Sequence, residues 1–159
     1  MSDPDIEVEV EDPAWNAVAD VEAVVVKAAT ATLKFLLRGE ATGEVPGVVV
    51  LLASDDAVAE LNQQFRHKAG PTNVLSFPAP ENPENLLGDI ALAYGVCARE
   101  AAEQGKALAD HLAHLTVHGV LHLAGYDHQT DDEAEAMEDL ERRVLATLGV
   151  SDPYATEQS

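Results

Sequence analysis

Pro46-Gly47-Val48-Val49-Val50-Leu51-Leu52-Ala53-Ser54-Asp55-Asp56 passes within one residue from a continuous apolar run to a polar start. A run of Val and Leu without alternation is the pattern of a buried strand. Ser54 stands where its hydroxyl caps a helix, and the sequence supports that helix to about Phe65. A buried strand that feeds a helix directly is the unit of an α/β fold.

Reading outward, Ile6-Glu7-Val8-Glu9-Val10 alternates apolar and acidic residues, as a strand with one wet face does. About Ala14 to Arg38 reads as one long helix closed by Gly39, with Lys27, Lys34 and Arg38 on one side of it. Asn73 to Ala79 and Leu86 to Ala93 are two more short apolar runs, separated by a loop containing Pro80, Asn82 and Pro83. From Tyr94 onward the pattern is helical. One helix runs to about Gln104, a second from about Ala107 to Leu123 with Gly125 at its end. A third opens on a Thr130–Glu133 capping box and ends at Gly149. The expected fold is therefore α/β. A single domain over residues 1–159 packs a small mixed four-stranded sheet against about five helices, with loose termini at 1–4 and 152–159.

Bulk composition narrows the function. A chain of 159 residues buries about two thirds of its unfolded surface. Its 47% apolar content is that of a globular protein, and its apolar runs are too short to span a bilayer. One cysteine, Cys97, cannot staple the fold, and the Met-Ser-Asp-Pro-Asp start lacks the look of a secretory signal. A cytoplasmic protein that engages no membrane is expected. The net charge of −20 argues against nucleic acid held over the whole surface. The acidic residues, however, crowd the N-terminus and the run from Asp131 to Glu141, which reads as a solvated helix face. The placement of the nine basic residues then matters more than the sum.

Five of the six histidines fall between residues 111 and 128. His118 and His122 are one helical turn apart and share a face. Gly125 lets the chain reverse so that His128 meets them, giving three neutral imidazoles and a fourth position left open. That is the arrangement of a catalytic, zincin-like zinc site. His114 lies on the same stripe and is expected to support a ligand or pack beside it, while His111 has no assignment. The frame H-x-x-x-H-x-x-G-x-x-H is also that of metzincin proteases, where a Glu follows the first histidine as general base. Here Gly119 takes that place and accepts no proton.

Phe65-Arg66-His67-Lys68 sets three potential cations at a helix end, just before Gly70-Pro71-Thr72-Asn73-Val74-Leu75-Ser76-Phe77-Pro78. Arg66 suits a phosphate, through two parallel hydrogen bonds. Cations at a helix C-terminus equally complement the helix dipole, and on these residues alone both readings stand.

The stretch His118-Gly119-Val120-Leu121-His122-Leu123-Ala124-Gly125-Tyr126-Asp127-His128 resembles the signature of the YbeY endoribonucleases, bacterial metal-dependent enzymes of ribosomal RNA maturation. The segment from Leu61-Asn62 through Arg66, Lys68 and Pro71-Thr72 to Pro78 is similar to the family's second signature. Leu87-Gly88-Asp89-Ile90, Met137, Leu140 and Glu141 also fit. Ala69 and Asn73 depart from it, standing where aspartates are common.

The resemblance implies one zinc ion on His118, His122 and His128 and an essential Arg66. It also implies a single-stranded RNA substrate in a basic groove beside the metal; the clustering of basic residues in two segments points to Arg66, Lys68, Lys34 and Arg38 as its lining. The implied activity is endonucleolytic hydrolysis by metal-activated water, in maturation of the small-subunit rRNA 3′ end and in ribosome quality control. Small-subunit ribosomal proteins and an assembly GTPase are the implied partners. Two other readings are a zinc-stabilised assembly factor without catalysis and a degenerate metzincin-like peptidase.

Overall fold

A computed structural model describes residues 6–36, 47–79, 86–126 and 130–150. The unbroken Val/Leu run forms β2 (Gly47–Ala53), which sits inside a four-stranded sheet. Its neighbours are β1 (Ile6–Val10) and β4 (Leu86–Ala93), both parallel to it. β3 (Val74–Pro78) runs antiparallel along the outer side of β4, so the order is β1-β2-β4-β3. The mixed four-stranded sheet expected from the sequence is the one observed.

Alternation along the strands assigns the two faces. Val48, Val50, Leu52, Ile90 and Leu92 point to one side and are almost completely buried. Over them lie α1 (Val21–Leu36) and α4 (Leu108–Leu123), with α3 (Tyr94–Gln104) alongside α4. α5 (Asp131–Thr147) forms an outer layer, where Met137, Val144 and Leu145 pack on Ala28, Ala113, Val117 and Leu121. Its N-terminus carries the Thr130–Glu133 capping box that the sequence announces. On the opposite face the cover among the described residues is one short helix, α2 (Asp55–Arg66), capped by Ser54 and packed on Ala53, Leu75, Ala91 and Ala93.

One element differs from its sequence reading. The expected helix from Ala14 to Arg38 is split in two: a 3-10 turn at Pro13–Ala17 and then α1 from Val21. Asp12 caps the turn and Pro13 opens it, but Trp15 decides the break. Its indole is fully buried and donates to the Ala53 carbonyl at 3.0 Å, a contact that a continuous helix would carry past. Asp20, at φ 53°, redirects the chain into α1. Gly39 and Arg38, the expected end of that helix, lie outside the described residues, as do the termini expected to be loose.

Among the described residues no helix is long and apolar enough to cross a membrane.

Candidate metal and phosphate site

α4 crosses the sheet at close range because of one residue. A Cβ on Gly119 would come 3.0 Å from Cδ1 and 3.1 Å from Cγ2 of Ile90, so position 119 faces the sheet and admits no larger side chain without displacing Ile90. A glutamate there would start into the core, away from the cleft. The structure thus removes the peptidase's general base by direction as well as by residue type. The Gly119 carbonyl accepts from the Ser76 hydroxyl at 3.3 Å, which ties α4 to β3.

Between α4 and β3 lies a cleft of about 320 Å³. Its walls include Arg66, Thr72, Asn73, Ser76, His118 and His122. The two histidines, one turn apart on α4, stack edge to face with ring centroids 4.6 Å apart and bring Nε2 to Nε2 at 3.1 Å. The other nitrogen of His118, Nδ1, lies 2.6 Å from Glu141 Oε2. A carboxylate accepts but does not donate, so Nδ1 carries the proton and Nε2 presents its lone pair toward His122. Glu141 is fully buried, and its second oxygen is 2.9 Å from His114 Nε2. One buried carboxylate therefore orients His118 and is itself held by His114.

This donor set fits a metal ion. Zinc takes imidazole nitrogens at about 2.0–2.1 Å in a tetrahedron, which separates two of them by roughly 3.4 Å. The observed 3.1 Å is near that edge, and the carboxylate–histidine arrangement is the usual outer support of a metal-bound imidazole. Among the described residues no three such side chains meet; His128, expected to complete the tripod, lies outside them.

Arg66 arrives from the opposite face of the sheet. It ends α2, and His67, in the left-handed conformation at φ 57°, turns the chain immediately afterwards. The guanidinium donates from Nη2 to the Ser76 carbonyl at 2.5 Å and stands 5.7 Å from the Phe77 ring centre. Its other N–H groups belong to a side chain that lines the same cleft as His118 and His122. Lys68, Lys34 and Arg38 were expected beside it. The described lining of the cleft does not include Lys68 or Lys34, and Arg38 lies outside the described residues.

Two site features escaped the sequence reading. Glu141 was assigned to a solvated acidic face, and the structure corrects this. It shares the inward stripe of α5 with Met137, Val144 and Leu145, at helical spacings that were available to see. Asn73 lines the cleft with its amide fixed: Oδ1 accepts from Val74 N–H at 2.7 Å and Nδ2 donates to Glu100 at 3.1 Å. Cys97 takes no part in nucleophilic chemistry. It is fully buried, and burial first, then Glu100 and Asp55, push its thiol up to about 12.

Residues 10–149 match the family described as Endoribonuclease YbeY. A Maricaulis maris protein named Endoribonuclease YbeY is 57% identical, over 93% of this chain and 90% of its own. A Novosphingobium aromaticivorans protein of the same name is 48% identical over 99% of both. The solution structure of a Thermotoga maritima protein, 27% identical, superimposes with a TM-score of 0.57 over 91% of each chain.

Proposed function

The chain belongs to the YbeY endoribonuclease family, and from that premise we propose that the α4–β3 cleft is where it hydrolyses a phosphodiester of single-stranded RNA. The observation that carries the assignment to this cleft is the opposition across it of Arg66 and the Glu141-oriented His118 with its neighbour His122. His118, His122 and His128 hold one zinc ion. When bound, the ion supplies the Lewis acidity that makes water a nucleophile near neutral pH.

The chain's own groups supply the remainder. Arg66 binds the phosphoryl oxygens and gains strength as negative charge gathers on them. Its bond to the Ser76 carbonyl fixes the guanidinium before substrate arrives, so little ordering is left to the reaction itself. Glu141 holds the His118 ring in one tautomer, and His114 holds Glu141. Lys68, Lys34 and Arg38 attract the RNA backbone. In the cytoplasm the substrate is rRNA at the 3′ end of the small-subunit RNA, met during maturation and ribosome quality control beside small-subunit proteins and an assembly GTPase.

Elemental analysis paired with cleavage of a single-stranded RNA tests the assignment on wild type, His122→Ala and Arg66→Ala. His122→Ala is expected to lose the metal and cleavage together. Arg66→Ala is expected to keep the metal while cleavage falls on the order of 10²–10³-fold, the usual cost of removing one preorganised donor. Full cleavage by Arg66→Ala with the fold intact would remove Arg66 from the site.

A further inference from the structure

Among the described residues α2 covers only part of its face of the sheet. It seals Leu75, Ala91 and Ala93, but the next row across the strands, Phe77, Asp89 and Val49, continues past it. A groove of about 440 Å³ opens there, walled by Leu61 and Phe65 of α2 and floored by Val49, Leu51 and Ala91. Two carboxylates, Glu9 and Asp89, line it as well. Phe65 is 56% exposed and meets Phe77 edge to face at 5.5 Å, an unusual outlay of aromatic surface for a chain with so few aromatic residues.

The groove and the cleft are not independent. β3 is the edge strand, and its side chains alternate: Ser76 and Pro78 line the cleft, while Phe77 lines the groove. Arg66, next to Phe65 in sequence, reaches round that edge to Ser76 O and lies over Phe77. A strand whose phosphate sits on Arg66 therefore has the Phe65–Phe77 surface one step away.

We infer that this groove is a base-reading subsite for the RNA, taking a nucleobase that carries an exocyclic amine. The inference rests on the RNA reading of the cleft. Phe65 and Phe77 offer a surface for a base to stack on, as single-strand binders do. Asp89 and Glu9 select what is stacked. Carboxylates repel phosphate, so the backbone is kept at Arg66 and only a base enters. Carboxylates also accept without donating, so they match the N4 amine of cytosine and the amines of adenine and guanine, whereas uracil offers them a single N3–H between two carbonyls that they oppose. Among the described residues neither carboxylate has an ion-pair partner. Burial first, and then Glu9, raise the pKa of Asp89, as expected of a carboxyl that has lost part of its water to the groove.

The test is binding, by fluorescence anisotropy, of oligocytidylate and oligouridylate of equal length to the full chain loaded with zinc, with cleavage followed in parallel. Wild type is expected to favour oligocytidylate by about tenfold or more. Asp89→Asn, whose amide donates as well as accepts, should narrow that gap. Phe65→Ala should weaken both oligomers about equally, several-fold or more. Equal binding of the two by wild type overturns the inference, and so does a preference that Asp89→Asn and Glu9→Gln leave unmoved. A basic peptide that binds in an Asp89-dependent way while the oligomers show no preference overturns it in favour of a protein partner. Preference retained without any cleavage would sink the nuclease reading of the cleft and leave this subsite standing, so the two failures are distinguishable.

Discussion

α4 carries two histidine–carboxylate pairs that look alike and do opposite things. Near its start, His111 Nε2 lies 2.9 Å from Glu100 Oε1. Two turns on, His118 Nδ1 lies 2.6 Å from Glu141 Oε2. In the first pair the histidine is 3% exposed and its second nitrogen, Nδ1, is buried with no hydrogen-bond partner. In the second the carboxylate is the buried member, and the histidine's other nitrogen looks onto His122 and the cleft. The same hydrogen bond thus locks a ring inside the protein or aims a lone pair out of it. Which member is buried decides between them: Glu141, sealed on α5, holds His114 with one oxygen and turns His118 toward the cleft with the other.

Removing the charge at Glu141 breaks the open pair and carries the largest expected effect. Glu141→Gln keeps the shape but presents an amide that no longer enforces the Nδ1–H tautomer of His118. Zinc affinity should fall about 10–100-fold, the usual cost of losing such a support, with cleavage following it. Competition with a chelating dye measures this directly. Unchanged affinity would mean that the 2.6 Å contact plays no part in preparing His118.

The contrast also shows what the sequence disclosed. The β2–α2 unit, the sheet's size and the caps at Ser54 and Thr130 were readable because each rests on neighbours in sequence. The histidine stripe shows in the spacing for the same reason, whereas the neighbours of Arg66 leave a phosphate role and a helix-dipole role equally open. Glu141 was hidden by company: six other acids in its run are solvent-facing candidates, and only its coincidence with Met137, Val144 and Leu145 betrays an inward side chain. The break before α1 was hidden because it is enforced from 38 residues away, by Trp15 bonding to Ala53 O. Asn73 and Glu100, 27 residues apart, meet only once β3 and α3 are in place. Long-range pairings of this kind leave no periodicity behind.

The closed pair predicts a smaller effect of a different kind. His111→Gln can still donate to Glu100 but cannot fill the ring's volume or reproduce its packing. Stability should fall by about 1–2 kcal/mol, which for a domain of this size lowers Tm by roughly 2–8 °C. Zinc content should stay at the wild-type value. Calorimetry with metal analysis on the same sample reads both, and loss of zinc without loss of stability would reverse the roles given to the two pairs.

The smallest effect is one of pH, and its sign follows from burial. Desolvation lowers the pKa of His111 below 6.5 and outweighs Glu100, which raises it; His114 and Lys106 add to the lowering. Folded His111 is therefore held neutral, while the unfolded chain takes up a proton as pH drops through about 6.5. Above that pH both states are neutral and the ring contributes fully. Below it the unfolded state binds the extra proton, so stability declines until the depressed folded value is reached. The many carboxylates of the chain add a background to any acid titration, but they are common to wild type and His111→Gln. Urea midpoints for the two proteins, taken from pH 7 downward, should therefore converge, wild type losing more than the variant over the first unit below 6.5. Parallel curves would show that the ring is solvated enough to titrate normally, and would erase the distinction between a sealed and an open pair on which the comparison of the two histidines depends.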